Sequence, residues 1–473
     1  MSNSKDVWRR VDDKAPAYFG LSDRIWHMPE LNYQEVRSAA EHSAMLESEG
    51  FRVTTGVAGL PTAVVGEAGE GGPVIAIMGE FDALPGLSQE AGNATETPVE
   101  KGGNGHGCGH NMLGSASLLA AAAVKDYLAA NGLKGRVRYY GCPAEEGGSA
   151  KGFMVRAGAF DDVDIALCWH PASFNGVNRA FSLACVEIEF TFSGRASHAA
   201  AAPHLGRSAL DAVELMHIGV NYMREHMPST ARVHYAVINA GGIAPNVVQA
   251  TATTRQLIRA ATLSEMWELV ARVKKIAEGA ALMSETTVAI KQLSGDANLV
   301  GNRPLEETMQ ANLLALGGPG FDAADHAFAA KFQKTLSPQD IAAAYGRFDL
   351  QPKEGEALSD EIYPLGAGND TSVGSTDVGT VSWVVPTVQC RTACYAIGTP
   401  GHSWQLVAQG LAPAAHKGLA LAAKAMAGVA TDVLNDPALL KAAKDEFAAF
   451  RARNPFANPI TDDVEPPLDM AAH

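Results

Sequence analysis

Two short segments carry side chains that can bind a metal ion. The glycine-rich segment 105–111 contains Cys108 and His110, and Glu145 and Glu146 follow as an adjacent pair. Thiolate, imidazole and carboxylate are the ligand types that zinc and manganese take from proteins. A further carboxylate beside such a site can act as a base toward water. This pattern predicts a metal-dependent hydrolase in which one glutamate is a ligand and the other is the base.

Two histidines farther along the chain can complete the ligand set. His170 stands in a Trp-His-Pro sequence and His402 in a Gly-His-Ser sequence. A single histidine of this kind is commonly a core residue, but both together with the thiol, the imidazole and the acidic pair favour a shared site. His106 is expected to be structural. Asp82 can orient a ligand through a hydrogen bond, or it can simply cap a turn.

Three polar residues in the middle of the chain can act on a substrate. His198 can donate to a developing oxyanion, either after domain closure or across a dimer. The amide of Asn246 and the guanidinium of Arg259 suit a substrate carboxylate. The alternative is that these are a turn histidine and ordinary surface polar groups.

The candidate residues follow short apolar runs that predict buried strands. Residues 73–79, 136–142 and 163–168 form these runs, and the acidic residues or His170 come directly after them. An alanine-rich helix is expected over 112–128. Open α/β sheets place their sites outside the carboxyl ends of the strands. The sequence therefore predicts an α/β catalytic domain with the site at one edge of its sheet.

A different pattern begins near residue 185. Apolar residues alternate with polar ones over 186–192, which is typical of a strand with one face in water. Helices and strands then follow in β-α-β-β-α-β order, as in ferredoxin-like domains. We predict an inserted α+β domain at 185–295, within a catalytic domain made of 1–184 and 296–473. Residues 296–365 show only weak periodicity.

The composition of the chain limits the partners and the cellular location that are expected for it. The chain has 473 residues, a net charge of −15 and 47% hydrophobic residues. This charge argues against nucleic acid or an anionic membrane as the main partner. The sequence shows neither a membrane-spanning run nor a signal peptide. Six cysteines without a disulfide-like spacing favour a reducing cytoplasm.

The glycine-rich segment also permits two alternative interpretations. Its closely spaced glycines allow a dinucleotide-binding loop, although the strand–turn geometry and the later acidic residue of that fingerprint are not clear here. A purely structural metal site is the second alternative. Structural sites are usually closed and four-coordinate, without a spare base.

The same motifs resemble those of the M20 family of metallopeptidases, in its amidohydrolase branch. That branch has His-Ala-Cys-Gly-His, then Glu-Glu-Gly, then a lone histidine and a late histidine. Here these are residues 106–110, 145–147, His170 and His402, with Gly107 in place of the usual alanine. The segments 197–200 and 203–212 look like the family's lid signature, and 375–377 resembles the acidic segment before the last ligand.

The resemblance implies a di-metal catalytic domain of mixed-sheet α/β fold and a ferredoxin-like lid that dimerises. It implies two ions, Mn²⁺ or Zn²⁺, with Cys108 as the bridge and Glu145 as the general base. His198 would reach the neighbouring subunit's site. The remaining ligands implied for the two ions are His110, Glu146, His170 and His402.

The expected reaction is hydrolysis of the amide bond in N-acyl or N-aroyl amino acids. The resemblance points to p-aminobenzoyl-glutamate, which would give p-aminobenzoate and glutamate. Other conjugates, such as indole-acetyl-aspartate, are alternative substrates. The expected assembly is a homodimer, or a heteromer with a paralogous subunit, through the lid. A non-catalytic partner subunit of such a heteromer is the rival from another functional class.

Overall fold

The computed structural model describes residues 2–177, 180–368 and 374–472. Within these ranges the strands form two sheets with separate hydrophobic cores. The strands are β1 (Arg52–Thr55), β2 (Val64–Glu70), β3 (Val74–Glu80), β4 (Gly135–Cys142), β5 (Ile165–Ala172), β6 (Ala184–Ser193), β7 (Arg232–Asn239), β8 (Thr251–Ala260), β9 (Thr287–Asp296) and β10 (Thr387–Ala393).

The helices alternate with the strands in the first part of the chain and dominate its last part. They are α1 (Ser2–Trp26), α2 (Val36–Ser48), α3 (His110–Asn131), α4 (Ala150–Arg156), α5 (Ala209–Met223), α6 (Leu263–Ser284), α7 (Arg303–Leu316), α8 (Ala323–Gln333), α9 (Pro338–Arg347), α10 (Val378–Ser382), α11 (Trp404–Gln409), α12 (Pro413–Asn435) and α13 (Pro437–Arg453). No helix in the described part of the chain is both long and apolar enough to cross a membrane.

The larger sheet has six strands in the order β1-β2-β4-β3-β5-β10. Strands β4, β3, β5 and β10 run parallel, while β1 and β2 pair antiparallel at one edge. Helices α1, α3 and α12 cover one face, and α4 and α10 lie on the other. Because β3 is covered on both faces, all of its residues are buried and its sequence is continuously apolar up to Glu80. The sheet is mixed, as expected.

The smaller sheet is antiparallel, in the order β7-β8-β6-β9. The alternation of apolar and polar residues along β6 places the apolar side chains on one face of the sheet, as predicted. Val186, Ile188 and Phe190 are buried with α5 and α6, whereas the intervening Glu187 and Glu189 face the other side. The β-α-β-β-α-β order predicted from the sequence is present over β6 to β9. Strand β7 is an edge strand with mostly exposed residues.

Residues 296–365 contain three helices that the periodicity of the sequence did not predict. Their starts are fixed by side-chain caps: Asn302, Asp322 and Ser337 accept hydrogen bonds from the first turns of α7, α8 and α9. Asp325 and Asp340 complete capping boxes on α8 and α9. These caps are the sequence signal that could have located the helices, whose alanines weaken the apolar pattern.

Several boundaries differ from the sequence prediction in ways that affect the site. Helix α3 begins at His110, two residues earlier than expected, directly after Gly109 in the left-handed region at φ 82°. His170 lies inside β5, whereas it was expected after the strand's end, because β5 continues to Ala172. The glycine-rich segment is not preceded by a strand, since β3 ends at Glu80. The dinucleotide alternative therefore lacks the strand–turn–helix unit it requires.

Candidate metal centre

The candidate ligands meet at the carboxyl ends of the parallel strands. The loop after β4 carries Glu145 and Glu146, β5 carries His170, and α3 begins with His110 beside the end of β3. Neighbouring parallel strands bring their carboxyl ends to one edge of the sheet, so side chains far apart in sequence become close in space.

Among the described residues, three groups of side chains are close enough to hold ions, and two of them contain Cys108. Cys108, His110 and His170 form one group, and Cys108, Glu146 and His402 form the other, with the ligand atoms of each within 4.8 Å of one another. Cys108 Sγ lies 3.4 Å from His170 Nε2, and His402 Nε2 lies 3.3 Å from Glu146 Oε2. All five predicted ligands thus converge, and Cys108 belongs to both groups.

The donor set fits divalent ions such as zinc or manganese. It combines one thiol, three imidazoles and a carboxylate, which are the ligand types those ions take. His110 Nε2 and Glu146 Oε1 are buried and have no hydrogen-bond partner among the described residues. Buried polar atoms without partners are rare in proteins, and a bound ion would satisfy both.

Asp82 positions two of the candidate ligands at once. His110 Nδ1 donates to Asp82 Oδ1 at 2.7 Å, which turns His110 Nε2 toward the centre. The backbone N–H of Glu146 donates to Asp82 Oδ2 at 2.9 Å. The carboxylate is fully buried. Asp82 therefore holds two candidate ligands by hydrogen bonds, and it does not line the cavity.

We predict that Asp82→Asn weakens metal binding about 10- to 100-fold. Asparagine has a single acceptor oxygen, so one of the two hydrogen bonds must be lost. Competition for zinc against a chelating dye measures the effect without reference to activity. Asp23→Asn is the matched control, because Asp23 holds His416 Nε2 at 2.8 Å in a similar pair on a different part of the chain. Equal affinities for the Asp82 variant and the parent would contradict this role.

The loop that carries the glutamate pair is held by an acidic residue that sequence reasoning missed. Glu35 is buried and accepts from the backbone N–H of Ala144 at 2.8 Å and from the Thr62 hydroxyl at 2.9 Å. Ala144 has φ 51°, which is unusual for a residue with a side chain. The two hydrogen bonds stabilise this turn, and the turn directs both glutamates toward the centre.

Burial is the main cause that raises the pKa of Glu145, of Glu146 and of the Cys108 thiol in the centre. Burial, followed by the carboxylates of Glu80 and Glu146, raises the pKa of Glu145 well above its usual value. Burial and the Glu146 carboxylate likewise raise the pKa of Cys108. Burial opposes a charge on His110, but Cys108 and Asp82 outweigh it and raise the pKa of His110. Cations at this position would reverse the balance for the thiol and the carboxylates.

His402, the last candidate ligand in the sequence, lies on a loop that contacts the loop of the first candidate ligand, Cys108. The backbone N–H of His402 donates to the carbonyl of Gly107 at 2.9 Å. His402 has φ 55° and a side chain that is 56% exposed, so it sits at the mouth of the cavity. His170 is fixed differently, since its Nδ1 donates to the Pro171 carbonyl at 2.8 Å and leaves Nε2 toward Cys108.

Behind the centre lies a buried ion cluster that the sequence did not predict. Lys151 Nζ lies 2.6 Å from Glu80 Oε1 and 2.7 Å from Asp377 Oδ1, and none of the three is more than 4% exposed. Glu80 Oε2 in turn lies 3.2 Å from His110 Nε2. Glu80 also forms a possible ion-binding group with His110 and Glu145. No sequence feature near Lys151 signals this cluster.

The remaining predicted site residues fall in two places. Arg259 lines the cavity, and its Nε is buried without a hydrogen-bond partner among the described residues. His198 and Asn246 are exposed and do not line the cavity. Within the chain they lie on adjacent loops, where His198 pairs with Val247 in an isolated bridge. The structure therefore brings Arg259, and not these two, to the cavity formed by the same chain.

The cavity in front of the centre has a volume of about 1030 Å³. Its walls come from the catalytic loops, from strands β6 and β8 of the smaller sheet, and from α9. Cys108, Glu145, Glu146, His170 and His402 line it. A small molecule with both an acyl group and an amino acid fits this size. The open cavity also distinguishes the centre from a closed structural metal site.

Comparison with known proteins gives consistent matches. The model of peptidase family M20/M25/M40 matches residues 76–345. The chain is 46% identical to the B subunit of p-aminobenzoyl-glutamate hydrolase from Escherichia coli K12, over 98% of this chain and 99% of that protein. It is 29% identical to the Xaa-Arg dipeptidase of Mus musculus, over 93% of this chain and 90% of that protein.

A solved structure supports the fold. A Bacillus subtilis dinuclear metal binding peptidase from the M20 family superposes with a TM-score of 0.54. The superposition covers 90% of this chain and 99% of that chain, at 18% identity.

Proposed function

The chain belongs to peptidase family M20/M25/M40, and from this premise we propose that it hydrolyses the amide bond of p-aminobenzoyl-glutamate to p-aminobenzoate and glutamate. The observation that carries the proposal is the convergence of five ligand side chains beside a sixth group, Glu145, that faces the cavity. The substrate is inferred from that of the 46% identical relative.

The proposed ligands are Cys108, His110, Glu146, His170 and His402, with Cys108 shared between two ions. The ions would be Mn²⁺ or Zn²⁺. When bound, they would lower the pKa of water and polarise the amide carbonyl. His110 Nε2 and Glu146 Oε1 are buried and make no hydrogen bond among the described residues, which supports the presence of ions.

Glu145 is the proposed general base. Its carboxylate accepts a proton from the attacking water and returns it to the leaving nitrogen, so the same group acts twice. Its position supports this role, because it lines the cavity while its neighbour Glu146 contacts His402. Arg259 would hold the α-carboxylate of the amino acid through its unpaired Nε.

His198 and Asn246 are proposed to act on the active site of a second subunit. Their exposed position, away from this chain's cavity, fits that role. His198 would donate a hydrogen bond to the developing oxyanion and Asn246 would contact the substrate carboxylate. The assembly is therefore proposed to be catalytic, with each cavity completed by its partner.

The smaller sheet and its helices, at 185–295, are the proposed lid and dimerisation domain on a catalytic domain made of 1–184 and 296–473. The exposed apolar side chains of β7 and α5 support this assignment, among them Tyr222, Val237 and Ile238. The partner would be a second copy or a paralogous subunit, because the Escherichia coli relative is itself one of the subunits of a hydrolase. Light scattering of the purified chain distinguishes a homodimer from a monomer, which would need a paralogous subunit as its partner.

A cytoplasmic location is proposed as well. All six cysteines are free thiols, and the centre requires Cys108 to stay reduced. Trapping of free thiols in freshly lysed cells measures their state.

The test of function is a hydrolysis screen on the purified chain loaded with manganese or zinc. Release of p-aminobenzoate from p-aminobenzoyl-glutamate supports the proposal. Preference for indole-acetyl-aspartate or another N-acyl amino acid would show that the proposed substrate is wrong and that the proposed reaction is right. Hydrolysis that appears only after a paralogous subunit is added, and that survives Glu145→Gln in this chain, would assign this chain the role of a non-catalytic partner.

We predict that a chelator stops turnover and leaves the chain folded. The candidate ligands are already held by hydrogen bonds within the protein, such as those of Asp82 and of the Pro171 carbonyl, and both cores are large. Circular dichroism with and without chelator measures the fold, and added manganese or zinc should restore activity. Unfolding on metal removal would favour a structural metal site instead.

A further inference from the structure

Besides the ion-paired Arg255, two arginines that the proposed mechanism does not use also line the cavity. Arg391 lies on β10, directly opposite His170 on the neighbouring strand β5. Arg347 is the last residue of α9. The two residues come from parts of the chain that are unrelated in sequence, and both point their charge into the space in front of the centre.

Neither arginine has an acidic partner among the residues that the structure describes. Their side chains make no hydrogen bond or ion pair with any residue that the structure describes. Arg255, in the same cavity, provides the contrast, because it lies 2.7 Å from Glu189 Oε1. Arg347 is exposed and Arg391 is half-buried, and their like charges repel each other at one cavity wall, so an anion bound there would relieve the repulsion.

The charges of the two residues act on each other and on the centre. Burial and the Arg347 guanidinium lower the pKa of Arg391 to about 10, so Arg391 still carries its charge at neutral pH. Burial, Arg391 and His110 lower the pKa of His170 well below its usual value. Arg347 contributes to the same shift. Both guanidinium groups are thus near enough to His170 to lower its pKa.

The segment 296–365 explains how Arg347 reaches the cavity. Helix α9 begins at a Ser337 cap and packs through Tyr345 and Phe348 against Phe174 and Tyr363. The Tyr345 hydroxyl donates to Glu356 Oε2 at 2.6 Å. These contacts fix the helix end over the cavity and direct Arg347 toward Arg391. The segment therefore forms one wall of the substrate site.

We propose that Arg391 and Arg347 form a subsite for a second carboxylate of the substrate, separate from the α-carboxylate assigned to Arg259. This inference rests on the proposed hydrolysis of N-acyl amino acids and adds which of them are preferred. A carboxylate accepts paired hydrogen bonds from guanidinium groups. The second carboxylate can belong to the amino-acid side chain, as in glutamate, or to the acyl group.

Kinetics on matched substrates tests the subsite. The first arm compares p-aminobenzoyl-glutamate with p-aminobenzoyl-glutamine, which has nearly the same shape and a neutral side chain. The second arm compares N-succinyl-alanine with its succinamide analogue. In the arm that carries the second carboxylate at the position the subsite binds, the parent should prefer the carboxylate substrate to its neutral analogue about 10- to 100-fold in kcat/KM. Arg391→Gln and Arg347→Gln should each reduce this ratio, mainly through KM, and leave the neutral substrate within about twofold.

Arg255→Gln is the matched control, since this arginine lines the same cavity but is already paired, and the ratio should stay at the parent value. A binding measurement tests the proposed subsite independently of the proposed hydrolysis. Calorimetry on Glu145→Gln compares the glutamate and glutamine conjugates without turnover. Parent-like ratios and parent-like binding in both arginine variants would overturn the subsite even if hydrolysis is confirmed. Selective, arginine-dependent binding without hydrolysis would support the subsite and refute the proposed function.

Discussion

Glu145→Gln is expected to lower kcat about 10²- to 10⁴-fold while the metal content stays at the parent level. Glutamine keeps the size of the side chain but cannot accept the proton of water. The side chain lines the cavity and is 12% exposed, and Glu146 rather than Glu145 contacts His402. Loss of the base should therefore affect chemistry and leave the ligands in place. Steady-state kinetics together with metal analysis of the same sample measures both quantities.

Glu146→Gln is the matched control for this prediction. The two residues are adjacent and equally conservative to replace, but only Glu146 belongs to the group with Cys108 and His402. Its replacement should reduce metal content as well as turnover. A Glu145→Gln protein with parent-like kcat would remove Glu145 from the mechanism. A protein that has lost its metal would make Glu145 a ligand.

Lys151→Met should lower the free energy of unfolding by about 3–5 kcal/mol. Lys151 is the one described cation hydrogen-bonded to both Glu80 and Asp377, and its ammonium group is completely buried. Methionine fills a similar volume but leaves Asp377 without its cationic partner and Glu80 with His110 alone. Burial raises the pKa of Asp377 to about 7, partly opposed by Lys151, so the carboxylate is already costly to keep charged. Urea unfolding followed by fluorescence measures the difference.

The control for this variant is Lys441→Met. Lys441 and Asp445 form an exposed pair one helical turn apart on α13, where both side chains are more than 60% exposed. Such pairs contribute little, and no measurable change is expected. If Lys151→Met were as stable as the parent, the buried cluster would already be neutral, with its carboxyl groups protonated in the folded protein.

The elements with a clear local pattern could be predicted from the sequence. The alternation along β6 depends on one covered and one exposed face, and the continuous apolar run of β3 depends on two covered faces. Both patterns are visible in a single strand. The candidate ligand residues could be predicted for a similar reason, because thiol, imidazole and paired carboxyl groups are seldom placed together without chemistry.

The parts of the site that were missed depend on contacts between distant segments. Arg391 faces the cavity because β10 pairs with β5 in a register that places it opposite His170, and nothing near Arg391 in the sequence encodes this register. Lys151 is important only because Glu80 and Asp377 surround it, 71 and 226 positions away. The helices of 296–365 were not predicted because their apolar periodicity is weak. Their capping residues were the local signal that marks where each helix begins.

The hydrogen bond between His402 and Gly107 has a consequence for synthesis on the ribosome. Translation proceeds from the amino end, so Cys108, His110 and His170 are made long before His402 and before β10, which completes the edge of the larger sheet. A nascent chain that has reached only the smaller sheet lacks the last ligand and has an unfinished cavity. If His402 is a ligand as proposed, we expect a chain that ends before residue 402 to be inactive, because it lacks both this side chain and the segments that close the cavity.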